Sequence, residues 1–350
     1  MTMSKTYIAT PPGATIKEQI EDRGMSQREL SIRMDYSEKF ISQLINGHVE
    51  LTPNTALRLE SVLGIPASFW LNLESTYREK LQKIEDENSF GVDMELASKF
   101  PYAEMAKLGW VAATRILSEK VIELRKYFEV ARLNLVAESR LVPNIAYRRQ
   151  KKTDKSVYAL MAWAQKAKLD AREIKTAKIN IDKLSKSLGT IRSMTKEDPS
   201  VFQDELVDLL ASCGIVLVLL PHLKGSFLQG ATFYDGPKIV LGLTLRRRDA
   251  DIFWFSLFHE LGHIVCGHIG QENGTSKEDE KQADCFASDM LIPPGIYAQI
   301  VSEKQTATSI LYWAEELDVA PGIIVGRLQK EGYLQYNQYN NLKVQYEFVT

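Results

Sequence analysis

Cysteine is scarce in this chain of 350 residues, and the three present, Cys213, Cys266 and Cys285, form no CxxC pair. That argues against a disulfide framework and for a reducing compartment. Long apolar runs are missing as well. The opening stretch MTMSKTYIATPPG has no apolar core of signal-peptide length, and no later segment approaches the uninterrupted run that a membrane helix needs. A cytoplasmic protein without membrane association is expected. Nor is there an excess of charge of either sign: the formal net charge is −2. The chain as a whole therefore does not attract nucleic acid or an acidic membrane, and any such contact needs a local patch. With 45% hydrophobic and 25% charged residues, the composition is that of ordinary globular protein, long enough for two or three domains that each bury a core.

The stretch that carries chemistry is Phe255-Ser-Leu-Phe-His-Glu-Leu-Gly-His-Ile-Val-Cys-Gly-His268. On a helix, residues four apart share a face, so His259 and His263 can reach one metal ion while Glu260 serves its bound water. A zinc-dependent hydrolase is the first expectation. The metal needs a third protein ligand that leaves one position open for water. His268 is the nearest candidate, but it lies five residues past His263 and beyond Gly267, on a different face. The pattern HExxHxxGxxH fails, because Cys266 and Ile269 stand where Gly and His would be required. A carboxylate on a following helix is the alternative, and Glu278-Asp-Glu-Lys-Gln-Ala-Asp-Cys-Phe-Ala287 supplies it. Glu280 and Asp284 are four apart, beside an apolar stripe of Ala283, Phe286 and Ala287. The gluzincin arrangement, in which the first carboxylate binds zinc and the next orients a ligand histidine, assigns Glu280 as third ligand and Asp284 as its supporting partner. Glu278 stands as the alternative ligand.

From about Ala14 to Tyr77 the chain reads as short amphipathic helices. Ile16 and Ile20 have helical spacing before Gly24, and Ser26-Gln-Arg-Glu29 is a capping-box pattern. Ser37 is a plausible cap for a helix from Glu38 to Asn46, which stops at Gly47. Thr52-Pro53 opens another, with Ala56, Leu59, Val62 and Leu63 on its buried face. Two short helices joined by a tight turn make a helix-turn-helix. The segments Gly24-Met-Ser-Gln-Arg-Glu-Leu30, Ile41-Ser-Gln-Leu-Ile-Asn-Gly47, Leu51-Thr-Pro-Asn-Thr-Ala-Leu-Arg-Leu-Glu60 and Gly64-Ile-Pro-Ala-Ser-Phe-Trp-Leu-Asn-Leu73 resemble the HigA-like branch of the bacterial Cro/repressor helix-turn-helix family. The resemblance implies that Ser37, Glu38, Lys39, Phe40 and Gln43 lie on or near the groove-facing surface, with Gln27 and Arg28 near the DNA backbone. Gln43 could read a base edge, and Lys39 or Arg28 a phosphate. From Gly13 to Leu73 there are six Lys or Arg against eight Asp or Glu. That is not the footprint of a tight monomeric DNA binder, and a homodimer pairing two weak sites would answer the deficit.

Between about Arg78 and Ser200 the sequence is helix-rich and poor in proline and glycine, with apolar residues at helical intervals in Met105 to Val111, Ile116 to Phe128 and Tyr158 to Ala167. The basic run around Arg148 to Lys155 is either a solvated face or a patch for phosphates or an acidic partner. Beyond Val201 come a helix over Phe202 to Cys213 and a buried strand over Ile215 to Leu220. Two more strands, Gly230 to Tyr234 and Lys238 to Gly242, flank an Asp235-Gly-Pro turn compatible with a hairpin. After Arg246-Arg-Arg248, a helix from about Ala250 to Cys266 carries the motif.

The motif Phe258-His-Glu-Leu-Gly-His263, the segment Glu280-Lys-Gln-Ala-Asp-Cys-Phe-Ala-Ser-Asp-Met-Leu-Ile-Pro293 and the preceding strand pair resemble the ImmA/IrrE family of metallopeptidases. Ala320-Pro-Gly-Ile-Ile-Val-Gly-Arg-Leu-Gln329 is similar to the closing segment of fusions between that domain and a HigA-like repressor. Two departures stand out: Asp251-Ile-Phe-Trp-Phe-Ser256 replaces the usual Arg-Phe-Thr lead-in, and Asp284 stands where Asn is common. The resemblance implies peptide-bond hydrolysis with Glu260 as general base and a zinc ion on His259, His263 and Glu280. Tyr234 and Tyr297 are the two candidates for the oxyanion, and spacing does not choose between them.

The expected architecture is multidomain and mainly α. A flexible tail, 1–12, precedes an all-α helix-turn-helix bundle, 13–77, and a helical connecting region, 78–200. A zincin-like α+β metallopeptidase domain with a small antiparallel or mixed sheet, 201–300, is followed by C-terminal helices and tail, 301–350. Two functions are expected to compete. One is a DNA-binding regulator whose peptidase cleaves a repressor or antitoxin-like protein, its own chain included. The other is a non-catalytic antitoxin that binds its operator and a toxin partner, with the zincin fold as scaffold.

Overall fold

The computed structural model describes residues 8–137, 154–224, 226, 229–244, 248–271 and 274–347. It divides into two compact units, Met1–Asp93 and Met94–Thr350. Of the basic run from Arg148 to Lys155, residues up to 153 lie outside the described ones, as do Arg246 and Arg247.

The first unit is built from α1 (Pro12–Asp22), α2 (Gln27–Met34), α3 (Glu38–Ile45), α4 (Pro53–Leu63) and the part of α5 (Ala67–Lys99) up to Asp93. Hydroxyl caps decide where three of these start. Ser26 accepts from the backbone N–H of Glu29, Ser37 from that of Phe40 and Thr52 from that of Thr55, each occupying one of the N–H groups a helix start leaves without a partner. The capping box expected at Ser26 is only half formed. The Glu29 carboxylate pairs forward with Arg33 at 2.6 Å instead of folding back, because the residue four positions on is a cation on the same face. Ile16, Ile20, Leu30, Met34, Ile41, Leu44, Ala56, Leu59 and Trp70 fill the core. The boundary expected at Tyr77 falls inside α5. No proline, glycine or cap interrupts the helix there, and an ion pair of 2.7 Å between Arg78 and Glu74 runs through that turn.

The second unit begins with α6 (Tyr102–Lys107), α7 (Leu117–Phe128), α8 (Asn134–Ala137), α9 (Asp154–Ala171), α10 (Ile181–Ser193) and α11 (Pro199–Ala211). A three-stranded sheet follows, made of β1 (Ile215–Leu220), β2 (Gly230–Asp235) and β3 (Lys238–Thr244). Its order is β1-β3-β2. β2 and β3 are the expected antiparallel hairpin, closed at Asp235 and Lys238, while β1 pairs with β3 in parallel. The sheet is therefore mixed. Period-2 alternation sorts its faces: Ile215, Leu217, Ile239, Leu241 and Leu243 point into the large core, while on the other face Gly242 lies against the ring of Trp163 from α9. The remaining helices are α12 (Ala250–Val265), α13 (Lys277–Leu291), α14 (Pro294–Ser302), α15 (Ala307–Leu317) and α16 (Pro321–Lys330).

Two of the expected segments are not separate. The stretch 78–200 is more than a connector, since Leu184, Leu188 and Ile191 of α10 enter the same core as α12. Residues 301–350 do the same through Ile310, Leu317, Ile324, Val325, Leu328 and Tyr346. Their last turns lace onto the start of α12. Ala250 N–H donates to Val344 at 2.9 Å, Asp249 and Gln345 form an antiparallel bridge, and Trp254 Nε1 donates to the Tyr346 hydroxyl at 2.9 Å. Both side chains of that last bond are buried. Among the described residues no helix is long and apolar enough to cross a membrane.

Replacing Tyr346 with Phe leaves the Trp254 N–H buried and unpaired, which costs about 1–3 kcal/mol. The expected result is a lower urea midpoint for the second unit at an unchanged slope; an unchanged midpoint would show that the bond adds nothing to stability.

Candidate metal centre and helix-turn-helix surface

The motif helix α12 is apolar nearly all round. Phe253, Trp254, Leu257, Phe258, Leu261 and Ile264 are buried, which ties the helix to the core and leaves His259 and His263 on the face toward α13. At Gly262 the two helices come close: a Cβ there would stand 3.2 Å from the Cα of Ala283 and 3.0 Å from Phe286 Cδ1. That approach brings Glu280 to the histidines.

The three side chains converge. His259 Nε2 and His263 Nε2 are 3.1 Å apart, Glu280 Oε2 is 3.7 Å from His259 Nε2, and Glu280 Oε1 is 3.7 Å from His263 Nε2. A tetrahedral ion with ligand bonds of about 2.0–2.1 Å requires edges of about 3.3 Å, so the donor set fits such an ion with small adjustments. The supporting contacts also suit a metal. Asp284 Oδ1 lies 2.9 Å from His259 Nδ1. A carboxylate accepts only, so the proton sits on Nδ1 and the Nε2 lone pair faces inward. Thr275 donates to Glu280 Oε1 at 2.5 Å. Glu278 is exposed and outside the cluster. His268 lies outside the donor set and stands at the other nitrogen of His263, with the two Nδ1 atoms 3.1 Å apart.

Glu260 is buried beside the cluster and held by the sheet. Gly230 and Thr232 pair with Leu243 and Leu241, so both look toward α12. Thr232 Oγ1 donates to Glu260 Oε2 at 2.5 Å, and a Cβ on Gly230 would lie 2.8 Å from Glu260 Cγ. Burial pushes the Glu260 carboxyl up to about 7, against the lowering effects of His259 and the Thr232 hydrogen bond. Burial disfavours charge on His259 too, but its bond to Asp284 and the nearby Glu260, Asp284 and Glu280 carboxylates outweigh that and raise its pKa. His263 is lowered to about 3, chiefly by burial and further by the neighbouring His259 and His268 imidazoles. Of the two candidate oxyanion tyrosines, Tyr234 is exposed on the same face of β2 as Thr232. Tyr297 is buried under the Arg327 guanidinium, 3.7 Å from its ring centre.

On the helix-turn-helix, Arg28 and Lys39 are exposed, and Gln27 and Gln43 are half-buried. Ser37 spends its hydroxyl on the cap of α3, and the Phe40 ring packs 4.4 Å from that of Tyr36, so both have structural duties beside any contact. The turn itself is braced by a residue the linear pattern does not reveal. Arg58 of α4 donates to the carbonyl of Met34 at 2.5 Å and to that of Asp35 at 3.2 Å, while lying over the Tyr36 ring. Asp35 adopts a left-handed conformation, φ 56°, which ends α2 and turns the chain into α3.

Residues 16–70 match the helix-turn-helix family model. The uncharacterized HTH-type transcriptional regulator YddM of Escherichia coli (strain K12) is 33% identical over 66 residues, 19% of this chain and 70% of that protein. Virulence-associated protein I of Dichelobacter nodosus is 28% identical over 91 residues, 26% of this chain and 83% of that protein. The chain belongs to the helix-turn-helix family through this segment.

Replacing Thr232 with Val removes a hydrogen bond that favours the ionised carboxylate. The Glu260 pKa of the metal-free protein is expected to rise above its value of about 7. Carbon-13 NMR of labelled glutamate carboxyls reads this directly, and a constant or lower value would separate Thr232 from the control of Glu260.

Proposed function

We propose that this protein is a DNA-binding transcriptional regulator whose second unit is a zinc-dependent peptidase of the ImmA/IrrE kind. Its substrate is a repressor or antitoxin-like protein, its own chain included. The regulator half is supported by the helix-turn-helix match and by the similarity to a protein named as a transcriptional regulator. One observation carries the peptidase half: His259, His263 and Glu280 converge with a buried Glu260 alongside them.

In this reading His259 and His263 present Nε2 lone pairs and Glu280 a carboxylate, with Asp284 and Thr275 fixing their orientation. Zinc held there supplies a Lewis acid for water and for the scissile carbonyl. Glu260 takes a proton from the attacking water and returns it to the departing amine nitrogen. A carboxyl group buried beside the donor set is placed for both halves of that exchange. In the first unit, Lys39 and Arg28 meet phosphates and Gln43 meets a base edge. A homodimer supplies the second half-site, which offsets the small number of cations.

The competing account, a scaffold that binds a toxin without cleaving anything, has no use for a general base clamped by Thr232 and Gly230. Glu260→Gln is expected to keep zinc and lose cleavage of the partner protein by at least about a hundredfold, whereas Glu280→Ala loses most of the zinc in elemental analysis. Cleavage by the Gln variant at the wild-type rate would sink the mechanism and leave the scaffold. On DNA, Gln43→Ala is expected to change sequence preference and Lys39→Ala to weaken all sites and flatten the salt dependence. Absence of any footprint on the protein's own promoter region counts against a repressor.

A further inference from the structure

Helix α12 ends in a way that returns the chain to its own ligand. Cys266 is the C-cap and Gly267 follows in the left-handed region, φ 75°. The N–H of His268 then bonds the carbonyl of His263 at 2.9 Å, and the N–H of Gly267 bonds that of Ile264 at 3.2 Å. This pair of reversed bonds is the Schellman motif, in which the residue after the glycine packs back on the one five positions earlier. Here those two residues are both histidines. Their Nδ1 atoms stand 3.1 Å apart, and both side chains are buried.

A contact between two Nδ1 atoms needs one proton, and the surroundings of His268 say which ring carries it. Its Nε2 lies 2.8 Å from Gln282 Oε1 and 3.6 Å from the carboxylate of Asp279. Asp279 is the capping-box residue of α13, bonded to the N–H of Ser276, and a carboxylate can only accept. Both neighbours therefore call for a proton on His268 Nε2. The Nδ1 of a neutral His268 is then an acceptor, and the shared proton belongs to Nδ1 of His263.

We infer that His268, backed by Gln282 and Asp279, is a positioning residue of the metal centre: it holds the Nδ1 proton of His263 and so leaves the Nε2 lone pair of that ring pointing at His259 and Glu280. Asp284 does the same for His259. The two ligand imidazoles are thus oriented by different groups, one by a carboxylate and one by a neutral ring whose own proton is anchored at the start of the neighbouring helix. The role rests on reading His259, His263 and Glu280 as metal ligands.

The test uses the full chain labelled with nitrogen-15 histidine. Long-range proton–nitrogen spectra of the metal-free protein, taken where the imidazoles are neutral, should show His263 protonated at Nδ1. His268→Phe should move it toward the Nε2-protonated form and weaken zinc binding 10–100-fold in competition with a chromophoric chelator, the usual loss for an orienting partner. His268→Gln, whose side-chain carbonyl can accept the same bond, should restore both readouts. Gln282→Leu, at an exposed position, serves if the Phe variant does not fold, and should shift the tautomer the same way by less. An unchanged His263 tautomer in the variant that folds overturns the inference. So does a His268→Phe zinc affinity equal to wild type. Wild-type protein that binds no zinc would instead sink the metal-centre reading, and the tautomer spectra would still decide the role of His268.

Discussion

The separation of α12 and α13 at Gly262 is the constraint on which the candidate site depends. Two histidines four residues apart on one helix set their own spacing, but Glu280, the third candidate ligand, comes from another helix and arrives only if the two backbones approach closely. A side chain at Gly262 would meet the Cα of Ala283 at 3.2 Å, so any larger residue there moves α13, and Glu280 moves with it. Metal–ligand bonds tolerate errors of about 0.2 Å. The apolar residues that bury α12 therefore do more than stabilise it, because they hold one side of a gap whose width decides whether three side chains can share an ion.

That arrangement places charged and polar groups inside an apolar core, where each would be costly alone. The cost is met by pairing. Glu260 has Thr232, Glu280 has Thr275, His259 has Asp284, and His263 has His268. The pKa shifts follow from the same facts. Carboxylates around His259 raise its affinity for a second proton, while burial and the neighbouring imidazoles lower that of His263. Neighbouring members of one motif thus differ widely in proton affinity through surroundings alone.

Features with local causes are legible in the sequence. The caps at Ser26, Ser37 and Thr52, the Asp235-Gly-Pro hairpin, the apolar run of β1 and the HExxH spacing all depend on residues within a few positions of one another. Placing Glu280 and Asp284 on one face of a following helix needs only helical geometry. What escapes is set by packing between distant segments. The parallel pairing of β1 with β3, the entry of α10 and residues beyond 301 into one core, and the brace from Arg58 to the turn at Asp35 leave no periodic trace. His268 escapes for a subtler reason. Helical spacing assigns it to the wrong face, and only the left-handed Gly267 brings it back to His263.

The lacing of Val344, Gln345 and Tyr346 onto the start of α12 has a consequence for the order of events during synthesis. The Trp254–Tyr346 bond joins residues 92 positions apart. As the chain emerges from the ribosome, HExxH is already made while the segment that pins the helix carrying it is not. The N-terminal end of that helix gains its edge partner only after some ninety further residues have followed, so firm seating of the motif helix is a late step in biogenesis.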